Sequence, residues 1–309
     1  MKILITGSKG LIGSALKSSL MNLGIEVLGL DLKHEQGDPS FGNILDANTV
    51  FSKVSQVDGI VHLAAVSRVI DGEKMPQLCW KTNVEGTENI IETAIASEKK
   101  PWIIYASSRE VYGEQKELPV KESTPLNPVN IYGESKFAAE KKIEESQQTG
   151  LAAVIVRFSN VYGSIHDHPD RVIPAFCRAS ALGSSIRVDG RENTFDFTYL
   201  DDVIQGLISL ILLISARKTS LYPIHFTRGM GVTLEEIAAI AQRASEFPIS
   251  IVEGPSRSFD VSCFYGDPSR AKEVLRWHAC VSIEEGMSRL IHQFRLHFLS
   301  KLRGEHVVL

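Results

Sequence analysis

The chain has 309 residues, of which 43% are hydrophobic and 23% are charged, a composition typical of a soluble globular protein. Its formal net charge of −4 leaves no basic surplus that would attract nucleic acid or anionic lipid, so neither partner is expected. The most apolar stretch, 207–214, is much shorter than the roughly 18–20 residues that span a bilayer. Four cysteines without a Cys-x-x-Cys pair, and no charged-then-apolar leader after Met1, are typical of a cytoplasmic protein with reduced thiols.

The first half of the chain alternates short apolar runs with amphipathic segments. The spacing predicts strands at 2–6, 26–30, 59–63, 102–105 and 152–157, and helices at 11–23, 78–97 and 132–146. Apolar strands that alternate with helices indicate a parallel sheet covered on both faces. The predicted fold class is therefore α/β, a doubly wound parallel sheet of the Rossmann type.

The pattern changes after Gly163, where His, Pro and Arg become frequent. Helices are predicted at 172–182, 203–214, 233–244 and 282–297, a strand at 224–226, and a loop-rich stretch at 253–268. We expect a dinucleotide-binding domain at 1–163, to which 196–220 return, and a smaller C-terminal substrate-binding α/β domain formed by 164–195 and 221–309.

A glycine-rich turn, with Gly7, Gly10 and Gly13 spaced Gly-x-x-Gly-x-x-Gly, lies between the first strand and the first helix. Glycine allows the tight turn and the close approach of a pyrophosphate, and the helix that follows offers free N–H groups to that phosphate. Asp31 ends the second strand, where an acid accepts hydrogen bonds from the adenosine ribose and repels a 2′-phosphate. The pattern predicts a dinucleotide site that favours NAD over NADP.

Two further motifs predict a reactive centre. Tyr132 and Lys136 are four residues apart and therefore share one face of a helix. A lysine ammonium beside a tyrosine hydroxyl stabilises the phenolate, lowers the tyrosine pKa and suits it to general base catalysis. Ser108, which follows the preceding strand, would offer a hydroxyl to the same substrate oxygen. The Tyr-x-x-x-Lys pair alone is a common helix pattern, so the prediction depends on the combination.

A series of motifs keeps one order along most of residues 1–203. They are TGSKGLIG (6–13), HLAA (62–65), NVEGTENII (83–91), ASSREVYG (106–113), PVNIYGESK (128–136), RFSNVYG (157–163) and DFTYLDDV (196–203). With them the chain resembles the extended short-chain dehydrogenases/reductases of the nucleotide-sugar epimerase/dehydratase group, and is UDP-glucose 4-epimerase-like. The C-terminal third matches more loosely, through RSFDVSCFYGDPSRA (257–271).

This resemblance implies a role for individual residues. Ser108, Tyr132 and Lys136 match the catalytic set. The implied cofactor residues are the glycine loop, an acid that ends the second strand, an adenine-contacting stretch that the resemblance puts after the third strand (Ile44, Asp46), the segment along the phosphates and ribose, a supporting asparagine, and the Tyr–Lys pair: Gly7, Gly10, Leu11, Ile12, Gly13, Asp31, Ile44, Asp46, Leu63, Ala64, Ala65, Asn83, Tyr132 and Lys136. The implied substrate residues are Ser108, Arg109, Glu110, Asn160, Arg171, Arg187, Arg191 and Arg257, with Asn160 and Arg257 matching residues that hold the sugar-nucleotide diphosphate.

Two positions depart from the family pattern. Phe195 stands where the family often has a phosphate-binding arginine, so the phosphate grip is expected from Arg187, Arg191 or Arg257, while Phe195 is buried or stacks on a base. Arg109-Glu110 follows Ser108, where 4,6-dehydratases have Asp-Glu and decarboxylating relatives have Ser-Glu. Arg109 has two open interpretations, a structural salt bridge or a contact with an acidic sugar such as a uronate.

The residues that remain support NAD-dependent epimerisation of a nucleotide sugar, at C4 of a UDP-sugar, through transient oxidation to a 4-keto intermediate. The alternatives are an NDP-4-keto-sugar reductase, an NDP-sugar 4,6-dehydratase or decarboxylase that uses Glu110, and a non-catalytic NAD-sensing regulator.

The helices at 78–97 and 132–146 correspond to those of the family's four-helix dimer bundle, which implies a homodimer. The loop 165–168 has metal-like residue types but no fourth ligand, so no metal is predicted and the loop is expected to line the sugar pocket. The charge run 140–145 predicts a solvated helix face.

Overall fold

The computed structural model describes residues 1–255 and 261–302, so the predicted substrate residue Arg257 lies outside the described residues. The strands are β1 (Lys2–Thr6), β2 (Glu26–Leu30), β3 (Gly59–His62), β4 (Trp102–Ser108), β5 (Ala153–Phe158), β6 (Asn160–Tyr162), β7 (Ile186–Asp189), β8 (Thr194–Phe195), β9 (Phe197–Tyr199), β10 (Ile224–Phe226), β11 (Val232–Thr233), β12 (Ile251–Gly254) and β13 (Cys263–Phe264). The helices are α1 (Leu11–Asn22), α2 (Ala47–Val54), α3 (Val69–Lys74), α4 (Pro76–Trp80), α5 (Gly86–Ala96), α6 (Ile131–Gln148), α7 (Val172–Leu182), α8 (Leu200–Arg217), α9 (Leu234–Arg243), α10 (Ser269–Leu275) and α11 (Ile283–Leu302).

The central sheet has six parallel strands in the order β10-β5-β4-β3-β1-β2. Helices cover both faces of this sheet. Successive side chains of β1 point to opposite faces and therefore pack into two different apolar cores. Ile3 and Ile5 pack with α1 and α8, whereas Leu4 packs with α2, α5 and α6. The predicted doubly wound α/β fold is confirmed. The strand order changes direction at β1, and ligands of such sheets bind at this point, outside the carboxyl ends of the strands.

A second unit has its own apolar core, built from α7, β7, α9 and α11. The chain does not stay in this unit after residue 221. Ile224–Phe226 extend the main sheet beside β5, and Trp277 stacks on Phe226 with 4.7 Å between ring centroids. The apolar side chains of these segments are buried in the first core. The prediction had put all of 221–309 in the second unit, so the structure differs from it here. Within the described ranges, no helix is both long and apolar enough to cross a membrane.

The predicted helix at 78–97 is interrupted. The chain forms α4, then a π-helical segment at Lys81–Glu85, then α5. The wider turn carries Asn83, which is 1% exposed. Its Oδ1 accepts from the N–H of Val66 at 2.8 Å, and its Nδ2 donates to Ser135 Oγ at 2.8 Å. The π-helical turn therefore ties the segment after β3 to α6, and such turns are frequent at functional sites.

Helix α6 is anchored on the sheet by a buried ion pair. Glu140 is fully buried, and its carboxylate accepts from Arg157 Nε at 2.9 Å and from Nη2 at 2.6 Å. Arg157 lies on β5 and is 3% exposed. The predicted solvated face at 140–145 is therefore wrong at Glu140, because α6 packs along β5 and places this residue against the sheet.

Candidate active site

The glycine loop between β1 and α1 fits a phosphate group. Gly7 has φ +73°, and a Cβ on it would lie 2.8 Å from the backbone nitrogen of Ala64. A Cβ on Gly13 would lie 2.1 Å from the carbonyl oxygen of Gly7. No side chain caps the first turn of α1, which begins at Leu11. The first N–H groups of α1 are thus available to a bound anion, in the arrangement that dinucleotide pyrophosphates use.

Asp31 stands at the end of β2 beside this loop. Its carboxylate accepts from the backbone N–H of Lys9 at 2.9 Å and of Lys33 at 2.9 Å. The first bond fastens the glycine loop to β2. The side chain is only partly buried, so its remaining lone pairs can accept from ribose hydroxyls. The position agrees with a preference for NAD, which remains a prediction for this residue.

Ile44 and Asp46 lie between β2 and β3, and not after the third strand as the resemblance implied. Asp46 caps α2 by accepting from the N–H of Asn48 at 3.0 Å. A hydrogen bond from Thr49 holds the pKa of the Asp46 carboxyl below its usual value. Ile44 is 4% exposed and packs against Gly86. Both side chains have structural contacts, and an adenine contact by this stretch remains a prediction.

The end of β3 forms the floor of the glycine loop. The N–H groups of Leu63 and Ala64 both donate to Thr6 Oγ1 at 3.2 Å. Leu63 and Ala65 line the cavity that the glycine loop opens into, while Ala64 packs directly beneath Gly7. His62 is buried, which lowers its pKa to about 3, so it is neutral at pH 7. Its Nδ1 shares a 2.6 Å hydrogen bond with Thr6 Oγ1.

The three predicted catalytic residues line the same cavity as the glycine loop. Ser108 ends β4 and its Oγ accepts from the backbone N–H of Glu110 at 3.2 Å, while Tyr132 lies in the first turn of α6. Lys136 lies one turn later, donates to the carbonyl oxygen of Ala106 at 2.8 Å, and has its ammonium 4.9 Å from the ring centroid of Tyr105. Asn83 binds Ser135 between them and so holds this turn of α6 in place.

Burial controls the ionisation of both catalytic side chains. Burial raises the pKa of Tyr132 to about 12, although the Ser108 side chain acts in the opposite direction. Burial also lowers the pKa of Lys136 to about 8. The predicted lowering of the tyrosine pKa is therefore not produced by the chain's own groups, because the cost of burying a phenolate outweighs the nearby charges.

The cavity continues from the reactive centre to the second unit. It is lined there by Asn160, which follows β5, and by Arg171 and Arg187. Arg171 pairs with Asp167 at 3.4 Å, and Arg187 pairs with Asp189 at 2.8 Å.

Arg191 does not line this cavity. Its guanidinium pairs with Glu235 and with Glu253, the latter at 2.7 Å. These two acidic side chains hold it on the surface of the second unit.

Arg109 and Glu110 are buried side by side, at 8% and 4% exposure. Arg109 Nη2 donates to Glu110 Oε1 at 2.8 Å, and Asn130 Nδ2 donates to Glu110 Oε2 at 2.9 Å. The Arg109 guanidinium lies over the Phe195 ring, 4.6 Å from its centroid, and 5.8 Å from that of Phe264. Phe195 is therefore covered by the Arg109 guanidinium.

The sequence motifs missed Arg68 and Asp170, which also line the cavity. Arg68 lies after β3 and forms an ion pair with Asp170, just before α7. No motif marks either residue, and the pair forms only when the second unit folds over the sheet. Of the loop 165–168, which was expected to line the sugar pocket, Asp167 lines the cavity, and Asp170 and Arg171 follow it there.

The chain matches known proteins over most of its length. The model of the NAD dependent epimerase/dehydratase family matches residues 3–220. A UDP-glucose 4-epimerase of Streptomyces lividans is 30% identical over 300 residues, covering 90% of this chain and 91% of that protein. A UDP-N-acetyl-alpha-D-glucosaminuronate decarboxylase of Bacillus cytotoxicus is 31% identical over 328 residues, covering 95% and 98%. The solved UDP-glucose 4-epimerase of Thermotoga maritima with UDP-glucose is 26% identical, with a TM-score of 0.88 over 96% of this chain and 100% of that chain. The chain therefore belongs to the NAD dependent epimerase/dehydratase family, and its cofactor is NAD.

Proposed function

We propose that this protein epimerises a UDP-sugar at C4. The observation that carries the proposal is the placement of Ser108, Tyr132 and Lys136 in one cavity with the glycine loop. The relatives named as UDP-glucose 4-epimerases support both the reaction and the nucleotide. Bound NAD supplies the hydride acceptor and donor, and Gly7, Gly13 and Asp31 are the residues that would hold it.

The chain's own residues handle the proton. The phenol oxygen of Tyr132 takes the proton of the sugar hydroxyl, while the Ser108 hydroxyl donates a hydrogen bond to the same sugar oxygen. Lys136, with a pKa of about 8, carries most of its positive charge at pH 7, although burial still holds the pKa of Tyr132 above its usual value. The same groups return the proton when the ketone is reduced on its opposite face. No further acid or base is required for this chemistry.

A dehydratase or decarboxylase would need Glu110 as an additional acid or base. Both oxygens of this carboxylate already accept hydrogen bonds, one from Arg109 and one from Asn130. Proton transfer by Glu110 would break one of these bonds in a buried site. We therefore favour the epimerase over this alternative, and a Glu110→Gln variant that retains 4-epimerisation would support that order.

The test begins with the purified protein, denatured to release its nucleotide. We expect about one NAD(H) per chain, and interconversion of a UDP-sugar with its C4 epimer without added cofactor, followed by NMR. Tyr132→Phe should keep NAD but lose at least about 100-fold in turnover, in line with the usual contribution of a general base. Tyr222→Phe, at an 82% exposed tyrosine, is the matched control. Protein that arrives without NAD and consumes NADH would instead be a ketosugar reductase.

We also propose a homodimer formed through α4, α5 and α6. Apolar side chains on α4 and α5 are exposed, with Leu78 at 47%, Trp80 at 43% and Ile95 at 43%. Burial of these side chains between two copies would stabilise a dimer.

The four cysteines are unpaired, which supports a cytoplasmic location. Arg171 and Arg187, which line the cavity from the second unit, support the sugar-binding role proposed for that unit.

A further inference from the structure

The buried guanidinium of Arg109 has one incompletely satisfied end. Its Nη2 is bound to Glu110, but its Nη1 is buried and has no hydrogen-bond partner among the described residues. The side chain is 10% exposed, and it lines the cavity that holds Ser108 and Tyr132.

A buried charged group that leaves a hydrogen-bond donor without a partner costs free energy of folding. The other cations of the cavity have partners. Among the described residues, Arg68, Arg171 and Arg187 each pair with a carboxylate, and Lys136 donates to a backbone carbonyl. Among these cavity cations of the described residues, Arg109 is therefore the one that has a buried donor without a hydrogen-bond partner. A group that completes it gains a charge-assisted hydrogen bond in an apolar setting.

We propose that Arg109 binds an anionic oxygen of the substrate; since Nη1 is covered in this structure, binding requires the side chains over it to move aside. The inference rests on the proposed function, because it takes the occupant of this cavity to be a nucleotide sugar. Two groups of such a substrate supply the chemistry, a carboxylate on the sugar or the diphosphate of the nucleotide. The direct attachment of Arg109 to Ser108 in the chain favours the sugar end.

The two phenyl rings and Glu110 together fix where the guanidinium can act. Phe195 and Phe264 lie against the guanidinium at 4.6 Å and 5.8 Å. These contacts restrict its rotation without using its donors. Glu110 makes the pair neutral, so attraction to an anion comes from the hydrogen bond and not from net charge. We therefore expect a ten- to hundred-fold contribution to affinity, which corresponds to about 1.4–2.7 kcal/mol.

The test measures binding without turnover. NAD-loaded Tyr132→Phe protein is titrated calorimetrically with UDP-glucuronate, UDP-glucose and UDP, and with uridine by displacement. Adding Arg109→Gln should weaken UDP-glucuronate ten- to hundred-fold and leave uridine within about twofold. A loss confined to UDP-glucuronate identifies the sugar carboxylate as the anion. An equal loss for UDP-glucuronate, UDP-glucose and UDP identifies the diphosphate.

Glu110→Gln supplies a control of opposite sign. It removes the neutralising charge but keeps the shape of the side chain, so it should strengthen binding of the same anionic ligand. General damage to the site would weaken binding in both variants. If Arg109→Gln destabilises the protein, Arg109→Lys keeps the charge and should lose less affinity than the glutamine.

An equal loss for all four ligands, or no loss for any, overturns the inference. If the wild-type protein epimerises a UDP-sugar but Arg109→Gln does not change the affinity for any ligand, this inference alone is overturned. Arg109-dependent binding without interconversion of any UDP-sugar overturns the proposed function alone. Failure of the parent protein to bind any uridine ligand overturns both.

Discussion

A Gly13→Ala substitution tests whether the glycine loop holds the cofactor in the way its geometry indicates. The new Cβ would lie 2.1 Å from the carbonyl oxygen of Gly7 and 3.0 Å from the Cα of Ser8. Ordinary contact begins at 3.4 Å, so the loop and the start of α1 must separate by about 1.3 Å. Neither neighbour can yield by a change of rotamer, because both are backbone atoms.

The size of the effect follows from that displacement. Overpacking of this kind costs about 1–3 kcal/mol of the free energy of unfolding. At roughly 2–4 °C per kcal/mol for a domain of this size, the melting temperature should fall by roughly 2–12 °C. The N–H groups that would cradle the pyrophosphate move together with the loop. Loss of two charge-assisted hydrogen bonds, at about 1.5–3 kcal/mol each, predicts at least a 100-fold weaker affinity for NAD.

The assay is the NAD(H) released per chain after gel filtration and denaturation, combined with a thermal melt. Gly24→Ala is the matched control, since Gly24 has φ +75° but nothing within 4 Å of an added Cβ. It should lose about 1 kcal/mol to backbone strain and keep its NAD. A Gly13→Ala protein that retains one NAD per chain and melts like the wild type would refute the close approach described for this loop.

Three further predictions follow from buried or exposed side chains. Lys136→Met should abolish turnover yet raise the free energy of unfolding at pH 7 by about 1–3 kcal/mol, because the folded pKa of Lys136 is about 8 against 10.5 for the free side chain. The folded protein binds fewer protons between these values, so wild-type stability rises with pH from 8 to 10.5 and denaturant titrations should show the gap closing. Glu140→Ala should cost about 3–5 kcal/mol in the same assay, because it leaves the Arg157 guanidinium buried without its partner, whereas Glu145→Ala, at an exposed position of the same helix, should change little. Trp80→Asp should convert the proposed dimer to a monomer in light scattering while leaving the melting curve two-state, and a persistent dimer would contradict the interface assigned to α4.

The parts of the fold that the sequence predicted well are those set by local rules. β1 and β2 begin and end at the predicted residues, and the glycine loop joins β1 to α1 as expected. A run of apolar residues followed by a glycine turn specifies both the strand and its end, because the turn geometry depends on neighbouring residues alone.

The interrupted helix at 78–97 shows where local pattern stops being sufficient. Its apolar spacing is helical throughout, yet the chain widens to a π-helical turn at Lys81–Glu85. The turn is held by hydrogen bonds from Asn83 to Val66 and Ser135, which lie 17 and 52 residues away. Periodicity within one segment carries no information about such partners.

The charged residues of the site were the least predictable for the same reason. Glu140 reads as part of a solvated run, but Arg157 on β5 makes it the most tightly buried acid of α6. The sequence pattern made Arg191 a candidate phosphate ligand, but its guanidinium forms ion pairs with two glutamates from other elements. Whether an arginine is free for a ligand depends on which carboxylates the fold brings near it, and pairing cannot be read from its position in the chain.

The ionisation of the reactive centre links these observations. With a pKa of about 12, only about one Tyr132 in 10⁵ is deprotonated at pH 7, so the chain's own groups make it a poor base. Lys136 retains most of its charge but is already committed to the carbonyl of Ala106. A further positive charge near the phenol is needed to lower the tyrosine pKa, and oxidised nicotinamide carries one. The residues that bind NAD therefore also determine when Tyr132 becomes a base, so the site should remove a sugar proton only when the dinucleotide is bound in its oxidised form.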